Sequence, residues 1–140
     1  MVKSISNSSQ PICKTRRDGT KRWYLGDYLH RENGPAIEYS NGSREWYFNG
    51  QRHRIDGPAI EYFNGTKAWY FKDQYHREDG PAVEYADGNK LWFYHGQYHR
   101  LDGPAEEYID GERSWWYYGK YIKCFSQKEF ERLIKLKILW

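Results

Sequence analysis

Histidine recurs at positions 30, 53, 76 and 99, each time followed by arginine and then by an Asp-Gly-Pro-Ala or Asn-Gly-Pro-Ala turn. Imidazoles repeated beside carboxylates such as Asp56 and Glu61 could in principle hold a metal or relay protons. Spacing argues otherwise. If each unit contributes two strands, equivalent histidines stand roughly 9–10 Å apart, whereas zinc ligands must converge within about 2.1 Å of one ion. A set copied four times reads instead as structural: His53, His76 and His99 pack near Trp46, Trp69 and Trp92, and Arg54 pairs with Asp56, Glu61 or an acid of a neighbouring unit. Neither a metal nor a cofactor is expected. A phosphate-cradling loop, a Gly-x-Ser-x-Gly elbow and a supported Cys-His arrangement are all missing from the sequence, so no enzymatic motif is visible.

The elements that must position these residues follow from a 23-residue period. It stacks Tyr39, Tyr62, Tyr85 and Tyr108 in one column and Trp23, Trp46, Trp69, Trp92 and Trp115 in another. Repeats of this length bury apolar surface only against their neighbours. Leu, Ile, Val and Phe are scarce, and seven Trp and 14 Tyr carry the burial in their place. The expected fold is all-β: an elongated antiparallel β-hairpin repeat array closed by a C-terminal capping α-helix, with a thin aromatic core and a single curved sheet.

Two turn signals set the hairpins. Asn41-Gly42 and its equivalents 64–65, 87–88, 110–111 and 18–19 suggest two-residue type I′ turns, pairing Tyr39 with Arg44 and Ile37 with Trp46. Asn49-Gly50, with His95-Gly96, Tyr118-Gly119 and the exceptional Lys72-Asp73, suggests a second such turn, setting Tyr47 beside Arg52. Alternation along the strands then sorts Ile37, Tyr39, Arg44, Trp46, Phe48 and His53 onto one face, read as interior. Ala36, Glu38, Glu45, Tyr47 and Arg52 fall on the other, more variable face, read as the recognition surface. Glu38, Glu61, Glu84 and Glu107 read as cross-strand partners of Lys and Arg.

The chain divides into an N-terminal polar segment (1–17), a half repeat plus four units (18–122) and a helical segment (123–140). Ser126 to Glu129 forms a capping box, Phe125 and Phe130 form a hydrophobic staple, and Phe130, Leu133, Ile134 and Ile138 make one apolar stripe. The helix is expected to cover the last sheet edge; Trp140 keeps open a partner-binding role for it. Cys13 and Cys124 flank the array, too far apart to bridge, and two free thiols fit a reducing compartment. The opening residues carry no apolar run, so neither a signal peptide nor a membrane span is expected, and the protein is expected to be cytoplasmic.

Units of the form Trp-Tyr-Phe-x-x-Gln-Tyr-His-Arg-x-Asp-Gly-Pro-Ala-x-x-Tyr-x-x-Gly resemble the variant MORN repeats of bacterial and phage proteins, with YwqK-type antitoxins the nearest named relatives. The resemblance spans residues 18–122 and implies an elongated hairpin array that serves as an interaction module. The partner would be a toxin, an effector or a host defence component, blocked by steric occlusion.

A non-enzymatic protein-binding module is therefore the leading expectation, since Tyr, Trp and Arg dominate interface hot spots. The candidate contact residues are Tyr47, Arg52, Tyr70, Tyr75, Phe93, His95, Tyr98, Trp116 and Tyr118. Nucleic-acid or nucleotide binding on the aromatic and Arg face is the alternative, disfavoured because 19 acidic residues nearly cancel 22 basic ones. A third reading is architectural, with self-association through the uncapped N-terminal sheet edge.

Overall fold

The computed structural model describes residues 10–138. Trp140 and the first nine residues of the polar segment lie outside them. The array opens with β1 (Ile12–Thr15), β2 (Lys21–Leu25) and β3 (Tyr28–Leu29). The next unit holds β4 (Ile37–Glu38), β5 (Arg44–Glu45), β6 (Tyr47–Phe48) and β7 (Gln51–Arg52). Two further units repeat this pattern as β8 (Ile60–Glu61), β9 (Lys67–Ala68), β10 (Tyr70–Phe71), β11 (Gln74–Tyr75), then β12 (Val83–Glu84), β13 (Lys90–Leu91), β14 (Phe93–Tyr94) and β15 (Gln97–Tyr98). The chain ends with β16 (Glu106–Glu107), β17 (Arg113–Tyr117), β18 (Lys120–Ile122) and helix α1 (Gln127–Ile138). The sheet takes in Ile12–Thr15, inside the segment read as polar, through pairs such as Cys13 with Trp23.

The single curved sheet expected from the sequence is not what forms. One antiparallel sheet of 12 strands runs the length of the array, and β6-β7, β10-β11 and β14-β15 flank it as separate two-stranded hairpins. The tryptophan between them is the pivot. Trp46 donates its N–H to Ala59 in the next unit and accepts from His53, so the strand turns aside without losing backbone hydrogen bonds.

The first turn also differs, and the difference reorganises the faces. Tyr39 bonds to Ser43, Gly42 donates to Tyr39, and Asn41 Oδ1 accepts the Ser43 N–H at 2.9 Å. That is a three-residue loop with a bulge glycine, Gly42 at φ +90°. Ile37 consequently faces Glu45, not Trp46, and Glu38 faces Arg44. A one-residue slip exchanges the faces of a strand. The second turn keeps the expected register, Tyr47 with Arg52, and Asn49 and Gly50 both have positive φ.

One face of the sheet therefore carries Ile37, Tyr39 and Glu45 with Tyr47 and Arg52; Glu38, Arg44, Trp46 and His53 lie on the other. Ile60, Ala68, Val83 and Leu91 form the buried floor of the first face, with Tyr70, Tyr75, Phe93, Tyr98 and Tyr108 packed against them. Charge pairs line the second: Glu38, Glu61, Glu84 and Glu107 stand opposite Arg44, Lys67, Lys90 and Arg113.

At the C-terminal end, Phe130 and Ile134 of α1 pack on Trp115, Ile122 and Cys124, so the helix covers the last hairpin. Ser126 Oγ accepts the Glu129 N–H, but the Glu129 carboxylate accepts from Phe125, one residue earlier than a reciprocal box requires. Phe125 is 86% exposed, so no staple forms with the buried Phe130. Cys13 and Cys124 are free, and burial pushes the Cys124 thiol up.

Candidate functional site

The corrected register brings two aromatic rows onto one face. The first is a continuous stack contributed by the flanking hairpins. Tyr70 lies 4.3 Å from Tyr75, Tyr75 5.0 Å from Phe93, Phe93 4.1 Å from Tyr98 and Tyr98 5.1 Å from Trp116, between ring centroids. Arg52 lies between Tyr47 and Tyr70, its guanidinium 5.6 and 5.7 Å from their rings. The second row is the tyrosine column Tyr39, Tyr62, Tyr85 and Tyr108, which the sequence reading had placed in the interior face with tryptophan. Shared partners show that the rows meet: Tyr39 and Tyr47 both donate to Glu45 at 2.8 Å, and Tyr108 and Trp116 both donate to Glu106.

The apolar floor thus ends at a carboxylate on either side. Glu45 is buried, held by the two tyrosine hydroxyls and by Arg52 Nε at 3.4 Å. Its equivalents are Ala68, Leu91 and Ser114, so this polar cluster belongs to one unit only. Burial and the adjacent carboxylate push the Tyr39 hydroxyl up to about 12 and that of Tyr47 higher still. Burial raises Tyr98 to about 12. These phenols stay protonated at neutral pH and act as hydrogen-bond donors.

Of the nine candidate contact residues, seven lie on this face: Tyr47, Arg52, Tyr70, Tyr75, Phe93, Tyr98 and Trp116. All seven are half-buried. His95 and Tyr118 belong to the other side, where they stack on His76 at 4.1 Å and His99 at 3.9 Å. What the sequence reading missed is Tyr62 and Tyr85, the most open rings of the tyrosine column at 46% and 43% exposure. The signal that could have found them is the Ser-Asn-Gly loop, which admits a bulge as readily as a two-residue turn.

The histidines serve the array itself. Nδ1 of His30, His53, His76 and His99 accepts the N–H of Asn49, Lys72, His95 and Tyr118 respectively, at 3.0–3.2 Å. Each donor is the residue of the next unit's turn held at positive φ, a conformation costly for non-glycine residues. Arg31, Arg54, Arg77 and Arg100 lie over Trp23, Trp46, Trp69 and Trp92 at 3.9–4.0 Å. Among the described residues, no three His, Cys, Asp or Glu gather where they could hold a metal, and no helix is long and apolar enough to cross a membrane.

No protein-family profile matches the chain, and no curated protein matches it.

Proposed function

We propose that this protein is a non-enzymatic, protein-binding repeat module that inhibits or neutralises its partner by steric occlusion, in the manner of an antitoxin or a phage anti-defence inhibitor. The observation that carries the reading is the tyrosine-lined face, where two aromatic rows and Arg52 share one sheet and the Tyr39 and Tyr47 hydroxyls are held in place on Glu45. Tyrosine supplies large contact area at low conformational-entropy cost, and sheet pairing has already fixed the backbone that presents it. The resemblance of the units to variant MORN repeats supports an interaction role and suggests a toxin, an effector or a host defence component as the partner.

Nucleic-acid binding on the same face fares less well. Successive rings of the stack occupy one another's faces at 4.1–5.1 Å, leaving no gap for bases to enter.

The test uses Tyr62→Ala/Tyr85→Ala, whose open rings contribute little to the floor. After capture and identification of a partner from the native host, the double variant is expected to lose at least tenfold in affinity with an unchanged melting temperature. Equal affinity would remove this face from the site. Binding that collapses with added salt would favour nucleic acid.

A further inference from the structure

The side of the array opposite the tyrosine face carries a row of equivalent clefts that the reading above does not use. Each lies between successive His-Arg loops. The first, of about 730 Å³, is bounded by Arg31 to Gly34 and Arg54 to Asp56. The second, about 830 Å³, lies between the loops of Arg54 and Arg77, and the third, about 780 Å³, between those of Arg77 and Arg100. Their floors are aromatic in every case: Trp46 and Phe48, Trp69 and Phe71, Trp92 and Tyr94.

The rims are acidic. Glu32, Asp56, Glu78, Asp79 and Asp102 are each at least 72% exposed. Each loop arginine from the second unit onward is shared by two carboxylates. Arg54 holds Asp56 at 2.9 Å and Glu61 at 3.3 Å; Arg77 holds Asp79 and Glu84; Arg100 holds Asp102 and Glu107. Arg44, Lys67, Lys90 and Arg113 of the sheet offset Glu61, Glu84 and Glu107 in turn, so the surplus carboxylates at the rims are Glu32 in the first cleft and Glu78 between the second and third. The arginine contacts keep the Asp56, Asp79 and Asp102 carboxyls below their usual range, hence ionised.

Period selects the conformation of an occupant. Two strands per unit at ~4.8 Å each set the clefts ~9.6 Å apart. A polyproline II helix repeats every three residues, ~9.3 Å, and so presents the same side chain to each cleft in turn. An extended β-strand repeats every two residues, ~6.8 Å, and loses register after one cleft. Aromatic grooves take prolyl rings well, and the acidic rims call for cationic side chains between them. We infer that these clefts form a second binding site, independent of the tyrosine face, for a basic, proline-rich segment in the polyproline II conformation, read one cleft per three residues.

The experiment is fluorescence anisotropy with the full chain and a labelled nine-residue peptide of three Pro-Pro-Arg repeats. It is expected to bind at least tenfold more tightly than three Gly-Gly-Arg repeats, three Pro-Pro-Glu repeats, or a peptide of equal charge with arginine at every fourth position. E78Q/D79N is expected to weaken it about tenfold with an unchanged melting temperature, the asparagine amide oxygen still accepting from Arg77. Tyr62→Ala/Tyr85→Ala is expected to leave it unchanged, which separates this site from the tyrosine face. Equal binding of the Gly-Gly-Arg or four-residue peptide, an unaffected E78Q/D79N, or no detectable binding would each overturn the inference.

Discussion

Histidine in this array works through an acceptor nitrogen. Because Nδ1 of His53, His76 and His99 receives a backbone N–H from the following unit, protonation there removes the bond and adds a second donor facing it. Burial lowers all three below the usual imidazole value, with Lys72 adding to the effect at His53 and His95 at His76, where Glu78 opposes it. The folded state therefore binds fewer protons than the unfolded state just below the ordinary value of ~6.5. Stability is full above that pH and is lost as pH falls through the depressed folded values. Thermal melts at pH 7.5 and pH 5 should show a lower melting temperature in acid, and His76→Gln should reduce the difference. Glu45 offers a second residue-scale test. Glu45→Ala leaves two half-buried hydroxyls without their acceptor and should cost about 1–3 kcal/mol in denaturant unfolding, Arg52 being exposed enough to be solvated. Glu45→Leu/Arg52→Tyr recreates the combination found at Leu91 and Tyr98 and should recover most of that loss. The pairing of Arg54 with Asp56 and Glu61 was legible from adjacency and charge. The histidine partners were not, because a contact 19 residues away depends on register.

The hairpin is the element on which register turns. Asn-Gly fits both a two-residue turn and the end of a three-residue loop, since glycine supplies the positive φ in either case. Only the pairing of Tyr39 with Ser43 distinguishes them, and a side chain of each loop holds the backbone of the next unit's loop. Ser43 Oγ, Thr66 Oγ1 and Asn89 Oδ1 accept the N–H of Phe63, Ala86 and Ile109 at 2.9–3.1 Å. The second turn was legible because its two residues stand between strands of unambiguous length. A different glycine carries the loop prediction. A Cβ at Gly57 would lie 2.9 Å from Cζ of Arg54, which is sandwiched between that glycine and Trp46. Gly57→Ala should therefore displace the guanidinium from Trp46 and cost about 0.5–1 kcal/mol in equilibrium unfolding, whereas Gly26→Ser at the β2–β3 turn meets no neighbouring atom within 4 Å and carries only the strain of its positive φ. The capping role of α1 was legible from its apolar stripe, and its N-terminal geometry was not, because Phe125 faces away from the core.

At the scale of the molecule, the two ends are unlike. Helix α1 covers the last hairpin, while all four residues of β1 are exposed and, among the described residues, its outer edge has no pairing strand. Uncovered edges pair with other chains, and Lys14, Arg16 and Arg17 beside that edge oppose close approach of a like copy. Light scattering should show a monomer at low ionic strength and concentration-dependent association as salt screens those charges. The array's length was legible from its period, and the flanking hairpins were not, because the sequence does not reveal that the strand turns aside at Trp46, Trp69 and Trp92 but runs straight through Trp23 and Trp115. Everything functional proposed for the protein rests on units that stack edge to edge through equivalent contacts. Deleting one unit, residues 69–91, joins Ala68 to Trp92 with every column preserved. Small-angle scattering should then show a folded particle whose longest dimension is shorter by ~10 Å, two strand spacings. An unfolded chain, or an unchanged longest dimension, would contradict the account.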